Sequence, residues 1–192
     1  MEIEHFEIPD LALIKPAIFE DSRGYFFESY SKNKFFDAGI TDDFVQSNQS
    51  LSQRGVLRGL HFQLPPFAQS KLVRVIKGAV LDVAVDIRKN SPTYGKHVSV
   101  ILNEQNKHLL YVPVGFAHGF LTLENNTIFS YKCGNIYDKD SERGIMWNDR
   151  DLRIMWNIAA PLLSPKDNLN VAFQDFESPF DFNLLTLLNG KH

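Results

Sequence analysis

The sequence predicts an all-β domain, a sandwich or small barrel with a few short helices. Three observations carry that expectation. Apolar residues recur with period two in several short segments, most clearly at Ala79, Leu81, Val83, Val85 and Ile87. Such segments follow one another at intervals of roughly 8–12 residues, with Gly, Pro and Asn between them, which is the rhythm of antiparallel sandwiches. Aromatic side chains suit pleated, half-buried surfaces, and they make up 12% of the chain, with 16 phenylalanines among 192 residues. The length fits a single domain, residues 1–192, able to bury about 70% of the unfolded chain's surface without staples.

Ala12 to Phe19 reads as the first strand. Ser31 to Gly39 carries an N-cap residue, a short amphipathic run and a terminal glycine, the marks of a brief helix. Val56 to Gln63 is a further strand. Leu72 to Ile76 is a β-branched run, and Lys77-Gly78 supplies the turn into the next segment. Between Gly78 and Arg88 the even positions include Asp82, Asp86 and Arg88, which predicts a strand buried on one side only. Val98 to Leu102 repeats the alternation, and Leu109 to Val112 and Phe120 to Leu123 are short strands. In Thr127 to Cys133, Phe129, Tyr131 and Cys133 share one face. Ser164-Pro165 can open a short helix, with proline at its first position. From Phe176 the chain is apolar without a turn–strand rhythm, so the 176–192 tail is expected to pack on the surface or partly fray.

Charge and cysteine usage exclude several classes. Twenty basic and 23 acidic residues leave a net charge of −3, whereas a nucleic-acid or membrane-surface protein would be strongly basic. The single cysteine, Cys133, rules out an intramolecular disulfide and is expected to be a small core residue. The first ten residues carry four acidic side chains, unlike a secretory signal, and no run approaches ~18 apolar residues. A cytoplasmic location is the expectation, with neither nucleic acid nor membrane as partner.

The chemistry is narrowed by what is missing. Neither a glycine-rich phosphate loop nor a GxGxxG fingerprint is present. Tyr30 and Lys34 satisfy a bare YxxxK spacing, but without a glycine-rich βα turn they read as two residues of a surface helix. The six histidines are scattered, so no bound metal is expected. What remains is Arg58, His61, Lys71, His118 and Tyr131, polar residues set within apolar strands. Each alone is ordinarily a hydrogen-bonded interior group. Together they suggest a ligand held inside the sandwich, and Arg, Lys and His suggest that it is anionic, with phosphate or diphosphate the foremost candidate.

Ordered blocks run from about Asp21 to Asp167. They include Asp21-Ser22-Arg23-Gly24-Tyr25-Phe26-Phe27-Glu28, Phe44-Val45-Gln46-Ser47-Asn48-Gln49-Ser50 and Gly55-Val56-Leu57-Arg58-Gly59-Leu60-His61-Phe62-Gln63. Gln69-Ser70-Lys71-Leu72-Val73, Gly115-Phe116-Ala117-His118-Gly119-Phe120, Tyr131-Lys132-Cys133, Tyr137, Glu142-Arg143-Gly144-Ile145 and Leu163-Ser164-Pro165-Lys166-Asp167 continue them. In these blocks the chain resembles the dTDP-4-dehydrorhamnose 3,5-epimerase family, cupin-type sugar-nucleotide epimerases. The resemblance implies a cupin-type jelly roll and a cofactor-independent isomerase acting on dTDP-4-dehydro-6-deoxy-α-D-glucose.

It implies that His61 is the general base, Asp167 its dyad partner, Lys71 the cation near the developing enolate oxygen and Tyr131 the acid on the opposite face. Arg23, Glu28, Gln46, Asn48, Arg58, Lys71, His118, Glu142 and Lys166 would bind substrate, and Tyr137 would stack on the thymine ring. It also implies a homodimer whose N-terminal strands extend across to the partner, so that Arg23 serves the neighbouring site. The alternatives are a single-centre epimerase acting on a related nucleotide sugar and a non-catalytic sugar-nucleotide-binding cupin.

Overall fold

The computed structural model describes residues 1–188. Strands β1 (Glu2–His5), β2 (Ala12–Lys15), β3 (Ile18–Asp21) and β4 (Gly24–Phe27) precede the short helix α1 (Lys32–Asp37). Then come β5 (Gln46–Ser52), β6 (Leu57–Gln63), β7 (Lys71–Lys77), β8 (Ala79–Asp86) and β9 (His97–Asn103). Strands β10 (Leu109–Val112), β11 (Phe116–Thr122), β12 (Thr127–Cys133) and β13 (Glu142–Gly144) complete the set, and α2 (Phe182–Leu188) closes the described chain. One sheet has the order β1-β2-β10-β7-β12-β5 and the other β13-β6-β11-β8-β9, while β3 and β4 form a separate hairpin. All pairings between these strands are antiparallel. The fold is the expected jelly-roll sandwich, and its two sheets face each other without closing into a barrel.

Several elements differ from the sequence reading for identifiable reasons. The expected Ala12–Phe19 strand is two strands, because Pro16 offers no N–H to the ladder and the chain leaves the sheet there. Segment 46–52, Gln-Ser-Asn-Gln-Ser-Leu-Ser, is an edge strand with little apolar content. The expected helix at Ser164-Pro165 is reduced to one 3-10 turn, Asp167–Leu169. Ser164 and Asp167 bond each other instead of extending a helix, through Ser164 Oγ to Asp167 Oδ2 at 2.7 Å and Asp167 N to Ser164 Oγ at 3.2 Å. The brief helix within Ser31–Gly39 is present as α1.

Strand β8 corrects the sequence reading most. It was expected to be buried on one side, but both faces are covered. Val80 and Ala84 face the core between the sheets, with Val73, Val75, Leu110, Phe120 and Phe129. Val83, Val85 and Ile87 face a second apolar cluster with Leu60, Phe62, Leu152, Trp156 and Phe180. The second cluster forms because the irregular segment after β13 folds back over the outside of this sheet. The described part of the tail therefore packs on the surface, the first of the two expected dispositions: Phe180 is buried, and Phe176 packs edge-on against Phe62 with ring centroids 5.3 Å apart. Residues 189–192 of that tail lie outside the described residues.

With both faces covered, the polar residues of β8 must find partners inside. Asp86 accepts from Arg88 Nε at 2.9 Å and Nη2 at 2.8 Å, and from Ser91 and Thr93 at 2.6 and 2.7 Å. Arg88, itself almost fully buried, also reaches Asp10 Oδ2 at 2.8 Å and the Pro9 carbonyl at 3.2 Å. Its guanidinium lies over the rings of Phe116 and Phe182, at 4.5 and 4.9 Å from their centroids. The N-terminal segment, β8 and α2 are thus joined at one cation. Among the described residues, no helix is long and apolar enough to cross a membrane.

Burial alone would push the Asp86 carboxyl up, but the Arg88, Ser91 and Thr93 donors outweigh it and hold the carboxyl below its ordinary value. A carboxyl depressed in the folded state contributes stability that is present above the unfolded value and lost as pH falls through the folded one. Asp86→Asn should therefore cost about 3 kcal/mol at pH 7, since a buried cation loses its main counter-charge. Urea unfolding should show this deficit shrinking as pH is lowered below the ordinary carboxylate range. A deficit that does not vary with pH would mean that the charge is not the stabilising feature.

Candidate active site

Strand register brings the polar residues to one end of the space between the sheets. In the six-stranded sheet, Cys133 is opposite Gln46 and Lys71, Tyr131 is opposite Asn48, and Phe129 is opposite Ser50. In the five-stranded sheet, His61 is opposite His118 and Arg58 is opposite Phe120. The inward-facing rows enclose a cleft of about 260 Å3 lined by Ser50, Arg58, His61, Lys71, His118, Phe120, Phe129, Tyr131, Glu142, Ser164 and Lys166. A smaller cavity of about 100 Å3 adjoins it, sharing His61, Lys71, Tyr131 and Glu142 and adding Gln46, Asn48, Gln63, Gln69 and Tyr137.

A local irregularity makes the histidine side of the cleft possible. Arg58 and His61 are three residues apart, so strict alternation would put them on opposite faces of β6. They pair with Phe120 and His118, which are only two apart, so β6 carries one extra residue there, a β-bulge that turns both side chains into the cleft. Gly59 sits in the bulge at φ +137°, and a Cβ on it would lie 2.5 Å from the Gly119 Cα. Only glycine meets both conditions.

His61 Nε2 lies 2.5 Å from Asp167 Oδ1, and Asp167 is buried while the His61 side chain is 22% exposed. Ser164 holds the other carboxylate oxygen. A proton shared with Asp167 at Nε2 leaves Nδ1 with the free lone pair on a ring that lines the cleft. Burial would raise the Asp167 carboxyl, but the hydrogen bonds from His61 and Ser164 outweigh it and keep the carboxyl below its usual range. His118 makes a second pair, with Nε2 2.9 Å from Oδ1 of the fully buried Asp82.

On the facing sheet, burial raises the Tyr131 phenol above its ordinary value, so it stays protonated well past neutral pH. Burial pushes the Lys71 ammonium down, against the pull of Cys133, Glu142 and Asp82. Cys133 is buried, as expected of a core residue, yet its sulfur also takes the Asn48 amide at 3.7 Å beside the cleft. Glu142 pairs with Lys166 and accepts from the Tyr137 hydroxyl at 2.8 Å. Those two bonds outweigh its partial burial and keep it ionised. Gln46 Oε1 accepts from the Tyr137 backbone N–H at 2.9 Å, and Gln46 Nε2 donates to Asn48 at 3.0 Å.

The structure therefore brings together His61, Asp167, Lys71, Tyr131, Gln46, Asn48, Arg58, His118, Tyr137, Glu142 and Lys166. It does not bring Arg23 or Glu28 to this cleft. Arg23 is on the β3–β4 hairpin, paired with Asp21 at 2.5 Å, and Glu28 pairs with Lys34 at 2.9 Å beside α1. Sequence reasoning missed Asp82, Ser164 and Ser50. An aspartate inside a valine-rich strand was a usable signal for Asp82. Nothing in the hydropathy pattern marks the two serines. Among the described residues, no three His, Cys, Asp or Glu side chains gather as a metal ligand set.

A cleft with an oriented imidazole on one wall, a protonated phenol on the other and cations between them can hold an anionic ligand and move protons on either side of it. Such a cleft, set between the two sheets of a jelly roll, is suited to an acid–base enzyme. The family model described as dTDP-4-dehydrorhamnose 3,5-epimerase matches residues 5–175. The dTDP-4-dehydrorhamnose 3,5-epimerase of Shigella flexneri is 51% identical over 176 residues, covering 91% of this chain and 97% of the relative.

Among solved structures, the Legionella pneumophila 3,5-epimerase in complex with dTDP-4-keto-L-rhamnose superposes with a TM-score of 0.88 at 45% identity, over 92% of this chain and 94% of that one. A 3'-monoepimerase from Streptomyces bikiniensis in complex with dTDP-quinovose superposes with a TM-score of 0.90 at 29% identity, over 96% of each chain. The chain belongs to the dTDP-4-dehydrorhamnose 3,5-epimerase family, enzymes of the carbohydrate isomerase class.

The bulge argument is testable through Gly59→Ala. The added methyl group meets backbone and the residue is left at positive φ, so the variant should lose about 3–5 kcal/mol and melt roughly 10 °C lower or more. A thermal melt within 2–3 °C of the unmodified protein, read by circular dichroism, would contradict the close approach to Gly119.

Proposed function

We propose that this enzyme inverts dTDP-4-dehydro-6-deoxy-α-D-glucose at carbons 3 and 5, giving dTDP-4-dehydro-β-L-rhamnose. The observation that carries the reading is the placement of His61 and Tyr131 on opposite sheets across one cleft. Both carbons are alpha to the carbon-4 ketone, so each proton can leave if the enolate is stabilised, and no cofactor is called for. His61, its tautomer held by Asp167, takes the proton from one face. Tyr131 returns a proton from the other face, which is what inversion requires. Lys71 supplies positive charge at the enolate oxygen, where preorganised electrostatics count most.

The cations Arg58 and Lys166 suit the diphosphate, and the exposed ring of Tyr137 suits stacking on thymine. Gln46, Asn48, His118 and Glu142 complete the binding set. A homodimer fits the same reading. The β3–β4 hairpin exposes Phe19, Tyr25 and Phe26, a surface suited to a second copy that would bring Arg23 and Glu28 to the neighbouring cleft. A sugar-nucleotide substrate agrees with the cytoplasmic location expected from the sequence. The likeness to a 3'-monoepimerase favours a single-centre enzyme as the alternative.

Turnover in deuterated water separates the two readings. Two deuterons, at carbons 3 and 5, are expected in the product, and label at a single carbon would establish the alternative. His61→Ala should abolish exchange while leaving dTDP affinity within about twofold, and exchange at an unchanged rate would refute the base assignment. Tyr131→Phe should lower kcat by about 10²–10⁴-fold while exchange on the His61 side persists. Loss of exchange and inversion to the same degree would remove the tyrosine from its separate role.

A further inference from the structure

Ser50 lines the cleft, and its hydroxyl is buried with no hydrogen-bond partner among the described residues. Leaving a buried hydroxyl unsatisfied costs free energy, and such groups in folded proteins are few. Its neighbour two positions along the same face of β5 shows the contrast. Ser52 Oγ is taken up by Arg58 Nε and Nη2, each at 3.3 Å. Ser50 also lies one inward-facing position beyond Asn48, the residue paired with Tyr131, and directly opposite Phe129. Two residues of strand span about 7 Å, so a ring-sized group held between His61 and Tyr131 would reach toward it along the cleft.

We infer that Ser50 is a further ligand-binding residue of this site, its hydroxyl completed by an oxygen of the bound sugar nucleotide. The inference rests on the sugar-nucleotide reading given above. Two sources offer that oxygen, a pyranose hydroxyl and a phosphate oxygen brought in beside Arg58. Either would satisfy a group that has no hydrogen-bond partner among the described residues.

The test compares Ser50→Ala with the unmodified protein in three measurements: melting without ligand, affinity for dTDP, and affinity for a dTDP-linked 6-deoxyhexose. Because the hydroxyl makes no hydrogen bond among the described residues, the unliganded variant should melt at the same temperature or slightly higher. Ligand affinity should fall. A sugar hydroxyl predicts a loss of about two- to tenfold confined to the sugar-bearing ligand. A phosphate oxygen predicts about ten- to hundredfold, seen with dTDP as well. Unchanged affinity for both ligands would overturn the assignment, as would a melting temperature lowered by several degrees, which would show the hydroxyl working for the fold. If the unmodified protein binds neither ligand, the sugar-nucleotide reading fails first and this inference falls with it.

Discussion

Arg88 can remain buried only because Asp86 and Asp10 neutralise its guanidinium while the rings of Phe116 and Phe182 flank it. That one cation joins the N-terminal segment, the central strand β8 and the C-terminal helix. The joint holds the C-terminal segment against the outer face of the five-stranded sheet, and this covering layer buries β8 on both sides. The strands that carry His61 and His118 are backed by the same layer. Their positions therefore depend on contacts made on the side of the sheet away from the chemistry.

The demand that buried charge be partnered also organises the cleft. Asp167 is buried and answers His61, the fully buried Asp82 answers His118, and Glu142 answers Lys166. Breaking either histidine–aspartate pair would strand a buried carboxylate in low dielectric, so those two pairs restrain their side chains more tightly than packing alone. The chemistry proposed above would draw on that restraint. The proposed base and acid, acting on opposite faces of a bound ring, would need fixed origins, and the two sheets supply them. Lys71 has no side-chain carboxylate partner among the described contacts, so burial depresses its ammonium while Glu142 and Asp82 hold it up only from a distance.

Much of the fold was legible because alternation survives wherever one face meets the core. Leu109–Val112, Val98–Leu102 and Thr127–Cys133 fall within strands of the structure. Strand β5 was not legible from hydropathy. One of its faces lines a polar cleft and the other meets solvent, so neither requires apolar residues. For the C-terminal segment, surface packing was one of two expected dispositions, and hydropathy could not choose between them for the opposite reason. Its phenylalanines cover a sheet face as an irregular chain, and irregular packing leaves no period to detect.

By itself the sequence determined the class of fold, through its period-two runs and their turns, and the residue types of the site, through ordered blocks that mark the family. The side chains of β6 show what was left to tertiary structure. Alternation alone would separate Arg58 from His61, and only the bulge against β11, made possible by Gly59, turns both into one cleft. Which buried polar groups are satisfied was equally beyond the sequence. Asp82 and Ser50 look alike as polar residues in strands, and only the three-dimensional register gives Asp82 Oδ1 a histidine while leaving Asp82 Oδ2 and the serine hydroxyl without a hydrogen-bond partner among the described residues. Partners are chosen by distance in space, and distance between strands far apart in the chain is decided by packing, not by neighbouring residues.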